Sequence, residues 1–249
     1  MKAALIPPRG LEATALQSDI HLCLPFLSLR RNQEYQRTYV DARKRGDYLI
    51  LDNGCAEGNL ISNNRLMQTA KDMQVHEIVA PDVLGDAAAT LTRTMDFLTD
   101  WPESHDYNIM AVAQGVDFDE VMYLIRQFSQ LPAITTIGIP KILITKRHDT
   151  IRSEVAQAIL KRHRNRFKIH LLGLHKLFQT EMLDVEFPSE VRSMDSAQPY
   201  KMAEADLTMT ALHASEFREP RRFDYFQRPS PVSIKLLDYN IKVFKEWAT

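Results

Sequence analysis

Short, uninterrupted apolar runs recur along the chain at intervals of roughly 30 residues, and each stops at a polar or glycine-containing turn. Six stand out: "YLILDNG" (48–54), "EIVAPDVLGD" (77–86), "YNIMAVAQG" (107–115), "ITTIGIPK" (134–141), "FKIHLLGLHK" (167–176) and "VRSMDSAQP" (191–199). Two more, "KAALIPP" (2–8) and "HLCLPFL" (21–27), precede them. Runs of this kind, apolar on successive residues, suit strands buried on both faces, as in a parallel sheet. The segments between them carry helical spacing. Val121, Leu124, Ile125 and Phe128 share a face behind a capping Asp117, and Ser62 caps the start of "SNNRLMQTAKDMQ". Ala88, Leu91, Met95 and Leu98 form a second face, and Ile151, Val155, Ala158 and Ile159 a third. Ile234 to Trp247 reads as a closing amphipathic helix.

That period is one β-α unit per step. Six units and two N-terminal strands predict a closed (β/α)8 TIM barrel, a single domain over residues 1–249 with 215–249 as a closing segment. The rival, an open doubly wound sheet, usually carries a glycine-rich first turn, and none is present.

The formal net charge of -1 gives no global attraction to polyanions, so any nucleic acid must be met by local patches. Two cysteines, Cys23 and Cys55, argue against a disulfide scaffold and a cysteine-built zinc site, and point to a reducing cytoplasm. The N-terminal apolar run is too short for a signal peptide, and no stretch is long enough to span a membrane, so no membrane partner is expected.

In a (β/α)8 barrel the C-terminal ends of the strands share one mouth, where catalysis occurs. Here those ends bring Asp52, Asp82, Gln114, the backbone around Gly138, the turn at Gly173–His175, and Asp195. Each residue alone reads as a turn former or helix cap. Polar ends on successive strands read as a site. Paired carboxylates flanking a glycosidic bond serve retaining glycosyl chemistry, one of them as nucleophile. Three aspartates can instead hold a divalent metal, although such ligands tend to lie close in sequence. There is no phosphate-cradling glycine loop, no Cys/His cluster and no defensible Ser-His-Asp spacing, so neither cofactor nor metal is predicted.

The ordered set "ILDNG", "VAPDVLGD", "VAQG", "IGIPK", "LLGLHK" and "SMDSAQP" resembles the tRNA-guanine transglycosylase superfamily of barrels. Within it the set looks most like the short DNA 7-deazaguanine transglycosylases of phages, the DpdA type. The resemblance runs from about residue 48 to residue 200. It implies a pentosyltransferase that exchanges guanine in a polynucleotide for a free 7-deazaguanine base such as preQ0, through a covalent Asp–sugar intermediate. It implies Asp195 as nucleophile, Asp52 in proton transfer, and Asp82, Gln114, Gly138 and Ile139 as base-binding positions. His175, Lys176 and Lys141 become candidate sugar or phosphate contacts. DNA is the implied partner, with tRNA the alternative, and a homodimer is the candidate assembly. A queuine/preQ1-type tRNA enzyme, a metal-dependent barrel and a non-catalytic nucleic-acid-binding barrel are the other readings.

The chain departs from the tRNA enzymes in three places. Their cysteine-built zinc subdomain is missing, which favours a DNA acceptor or a different RNA contact. Their double glycine after the first aspartate becomes "DNGCAEG", and "GIP" brings Pro140, which has no N–H to donate. The segments 29–45, 161–168 and 219–228 are basic, and the last sets Arg221 and Arg222 beside Phe223 and Tyr225. Arginine for phosphate with aromatics for unstacked bases suits a flipped-out nucleotide; the plainer reading is aromatic packing and solvated charge. Arg192 is expected to alternate out of the barrel into a structural ion pair.

Overall fold

In the computed structural model, which describes residues 1–29, 33–143, 150–174, 181, 182, 184–186, 188–210, 223–227 and 232–248, eight parallel strands close into a barrel in chain order. The strands are β1 (Lys2–Leu5), β2 (Ile20–Cys23), β3 (Tyr48–Leu51), β4 (Glu77–Val79), β5 (Asn108–Val112), β6 (Ile134–Pro140), β7 (Lys168–Leu172) and β8 (Val191–Ser196). Closure comes from β1 against β8, which pairs Ala4 with Asp195 and Leu5 with Ser196. The helices are α1 (Pro25–Leu29), α2 (Gln33–Lys44), α3 (Asn63–Met73), α4 (Ala87–Asp100), α5 (Phe118–Phe128), α6 (Ile151–His163), α7 (Gln198–Glu204) and α8 (Ile234–Trp247). The fold is the expected (β/α)8 barrel. No helix among the described residues is long and apolar enough to cross a membrane.

The Ser62 and Asp117 caps fall where the sequence puts them, and Ser233 adds a third. Ser62 accepts from the Arg65 N–H, Asp117 from Glu120 and Ser233 from Leu236, each covering an amide that the first helical turn leaves open. On α5 the expected face, Val121, Leu124, Ile125 and Phe128, is buried.

Helix α4 departs from expectation. Its buried face is Ala87, Thr90, Thr94 and Phe97, whereas Met95 is exposed. The helix is rotated by about one residue, or roughly 100°. Two threonines go inside because their hydroxyls find partners there. Thr90 Oγ1 accepts from Val83 N–H at 2.9 Å and donates to Val83 O at 3.1 Å, and Thr94 Oγ1 donates to Pro81 O at 3.4 Å. Both clamp the loop that carries Asp82.

Arg192 also departs. It does form an ion pair, Nη1 to Glu77 Oε2 at 2.7 Å, but inside the barrel. β8 and β4 stand opposite each other in the ring, so these groups meet only across its interior. The cause is a register slip between β7 and β8, where Ile169 pairs with Val191 but His170 with Ser193, leaving Arg192 as the extra residue of a bulge. Arg192 and Ser193 then point the same way, with Nε donating to Ser193 Oγ at 3.1 Å. Its guanidinium lies over the Tyr48 ring, 5.4 Å from the centroid, at the N-terminal floor.

Candidate active site

At the opposite end, the strand termini surround a cavity of about 330 Å3, which is in the range of small-ligand sites. Asp52, Asp82, Gln114 and Asp195 all line it. Residues far apart in sequence therefore converge as the barrel requires.

Asp52 follows β3. Its own N–H donates to Cys23 O at 2.9 Å, and its Oδ2 accepts from Gly54 N–H at 3.1 Å. Gly54 has φ +81°, and a Cβ there would sit 2.5 Å from Asn59 O, so only glycine fits this turn. The single glycine of "DNG" thus delivers an amide to Asp52. Burial pushes the Asp52 carboxyl well above the usual carboxylate range, and the negative charge of Glu57 pushes it further; the Gly54 N–H opposes this only in part. Glu57, half-buried in the cavity wall, is raised as well, chiefly by burial, and hydrogen-bonds Asp52. Burial thus favours the protonated form at both carboxyl groups. The sequence reading missed Glu57; it lies five residues past Asp52 in the same turn.

Asp82 is pinned at both oxygens. Oδ1 accepts from Asn53 Nδ2 at 2.8 Å and Oδ2 from Gln114 Nε2 at 2.5 Å. Asn53 also donates to Ala80 O at 2.8 Å, and Gln114 Oε1 accepts from Gly85 N–H at 3.0 Å. These contacts join the ends of β3, β4 and β5 and hold the polar wall without side-chain entropy left to lose on binding. Asn53 was also missed, although it is the middle residue of "DNG".

Asp195 lies near the end of β8. Its Oδ1 lies 3.0 Å from His170 Nε2 and accepts from Gly173 N–H at 3.1 Å. Among the described residues, Oδ2 makes no hydrogen bond. Gly173 adopts φ +78°, and its carbonyl accepts from Arg152 Nη1 at 3.0 Å. Arg152 is the surprise of α6. It is fully buried, beside the equally buried Glu181 at 3.3 Å, and burial lowers its pKa.

The remaining candidates divide. Gly138 and Ile139 are buried inside β6 and do not line the cavity, a correction to the expected base contacts. The Gly138 carbonyl already accepts from Ala113 N–H, and a Cβ on Gly138 would meet Leu172 Cδ1 at 2.8 Å and Met110 Sδ at 2.9 Å. That glycine serves packing within the barrel. Pro140, Lys141 and Ile142, just beyond, form the wall instead. Tyr225 also lines the cavity, packing edge-on against Phe26 at 6.4 Å and Phe223 at 4.9 Å. Phe223 lies 5.5 Å from Lys201 Nζ, on a lysine that the sequence reading passed over and that also borders the cavity. Cys55 is on the wall too, where burial and the Asp82 charge push its thiol up to about 12. His175, Lys176, Arg221 and Arg222 lie outside the described residues. Among the described residues, no group of three or more His, Cys, Asp or Glu side chains is placed to hold a metal ion.

No protein-family model matches the chain, and no curated protein matches it.

Proposed function

We propose that this barrel is a base-exchange transglycosylase, replacing guanine in a polynucleotide, DNA in the first instance, with a free 7-deazaguanine such as preQ0. The observation that carries the reading is the convergence of Asp52, Asp82 and Asp195, from three different strands, on one cavity in three different hydrogen-bonding states. Asp195 attacks the sugar C1′ through Oδ2. The C1′–N9 bond breaks, its electron pair goes to N9, and protonated Asp52 supplies the proton that guanine takes away. The 7-deaza base then enters and gives its N9 proton to Asp52. N9 attacks C1′, and the ester bond to Asp195 breaks with its electron pair returning to the carboxylate. Nothing is oxidised or reduced and no bond energy is supplied from outside. Asp82 accepts from the N1–H and 2-amino group of the base, and the second amide hydrogen of Gln114 is available to its O6. Each carboxyl thus has a separate role, and the raised Asp52 supports its part as the acid of the first half-reaction.

The test is incubation with labelled guanine and, separately, DNA and tRNA. Label entering DNA supports the proposal as written; label entering only tRNA moves the acceptor; label entering neither refutes it. A protein–polynucleotide adduct that survives denaturation, absent in Asp195→Ala, identifies the nucleophile.

A further inference from the structure

His170 is fully buried within β7, and both of its ring nitrogens are engaged. Nδ1 lies 2.7 Å from Ser193 Oγ and Nε2 lies 3.0 Å from Asp195 Oδ1. Neither distance says which nitrogen carries the proton. The answer comes from the barrel floor. Arg192 Nε approaches the same Ser193 oxygen at 3.1 Å, and an arginine nitrogen can only donate. Ser193 therefore accepts from Arg192 and has one proton left, for which His170 Nδ1 is the acceptor at hand. With Nδ1 accepting, the ring proton sits on Nε2 and points at Asp195. At the other end of the chain of bonds, Arg192 is itself fixed by Glu77 Oε2 at 2.7 Å and Thr136 Oγ1 at 3.4 Å. Arg192, which cannot accept, and the Asp195 carboxylate, which cannot donate, bound the chain at its two ends, and Ser193 donating to Nδ1 with Nε2–H toward Asp195 satisfies both.

We propose that His170 is a positioning residue for the nucleophile: the relay from Glu77 through Arg192 and Ser193 fixes its Nε2–H tautomer, which with Gly173 N–H ties down Asp195 Oδ1 and leaves Oδ2 as the attacking oxygen. The attack rests on the base-exchange reading; the tautomer and the tether do not. The bulge that carries Arg192 into the barrel is what makes the relay possible, because strict alternation would send Arg192 and Ser193 to opposite faces. The floor of the barrel, which touches no substrate, thereby sets the orientation of the group at its mouth.

The full chain with 15N-labelled histidine, read by multiple-bond 1H–15N correlation, reports the tautomer directly. His170→Gln identifies the signal by its loss from the set of 8 histidines. A protonated Nε2 with an unprotonated Nδ1 is expected, and a protonated Nδ1 overturns the relay. The kinetic arm compares two variants in the exchange assay. His170→Phe keeps a ring but no donor, and kcat is expected to fall about 10- to 100-fold with KM within about twofold. His170→Gln retains an amide N–H that reaches Asp195 and recovers most of the loss. Equal losses in both variants, or a change confined to KM, overturn the positioning role. If the parent protein exchanges no base into either polymer, the base-exchange reading falls, while the tautomer measurement still decides the relay.

Discussion

Arg192→Met tests whether the floor ion pair is internal. Methionine keeps much of the arginine stem and removes the charge. Glu77 is fully buried, and the Arg192 guanidinium is its ion-pair partner at 2.7 Å. Removing one member of a buried pair leaves the other charge unpaired and costs about 3–5 kcal/mol, whereas breaking an exposed pair costs under about 1 kcal/mol. The Arg192 side chain retains 17% exposure, so the lower end, about 3 kcal/mol, is expected. For a domain of this size that is a fall in Tm of roughly 6–12 °C. Glu77→Leu combined with Arg192→Met removes both charges and is expected to recover to within about 1 kcal/mol of the parent. Thermal unfolding followed by circular dichroism reads all three. A single variant that loses under about 1 kcal/mol, or a double variant no better than the single, refutes an internal pair.

Asp52→Asn is expected to abolish exchange and to raise Tm. The folded Asp52 carboxyl is raised above its unfolded value, so its favourable contribution holds below the unfolded pKa and is lost as pH climbs through the folded one. The Tm gain from asparagine should therefore grow as pH rises above the unfolded carboxylate range. Gly54→Ala forces a side chain into φ +81° and 2.5 Å from Asn59 O; a loss of more than about 1 kcal/mol, with reduced exchange, is expected in unfolding and activity assays. Cys55, with its thiol near 12, exposes only about one thiolate in 10,000 at pH 8, so iodoacetamide should modify it far more slowly than a free thiol. Chelator is expected to leave exchange unchanged, and loss of activity in EDTA would favour the metal-dependent reading.

The fold was legible because a parallel barrel writes itself as buried runs at a fixed interval, and that signal needs no knowledge of which face is which. The strand ends were legible for the same reason, so Asp52, Asp82, Gln114 and Asp195 could be placed at one mouth. What was hidden depended on partners. Thr90 and Thr94 go inside α4 only because the Pro81–Val83 backbone offers them hydrogen bonds. Arg152 is buried on a helix whose apolar spacing predicted Ile151, Val155 and Ile159 but says nothing of an arginine, because its acceptor is the Gly173 carbonyl on another element. Arg192 was misplaced because a period of two assumes no bulge, and a bulge has no signature in "EVRSMD". The base-contact reading of Gly138 came from the family resemblance; the constraint seen here, Leu172 and Met110 at under 3 Å from a Cβ, lies on neighbouring strands.

Three aspartates at one mouth would be interchangeable if their surroundings were. Asp82 is held at both oxygens by amides of Asn53 and Gln114, which fixes its plane. Among the described residues Asp195 is held at one oxygen, by His170 and Gly173, and its other oxygen makes no hydrogen bond. Asp52 has a single backbone donor and a second carboxyl, Glu57, against it, the arrangement that keeps a proton bound. The division of labour is therefore carried by the neighbours: two amides, an imidazole, a second carboxyl, two glycines and one misregistered strand. Substituting those neighbours should therefore damage one role at a time. In Asn53→Asp the amide that donates to Asp82 Oδ1 is replaced by a repelling carboxylate, and the expected result is base binding weakened by more than about tenfold while the yield of trapped Asp195 adduct stays within about twofold of the parent.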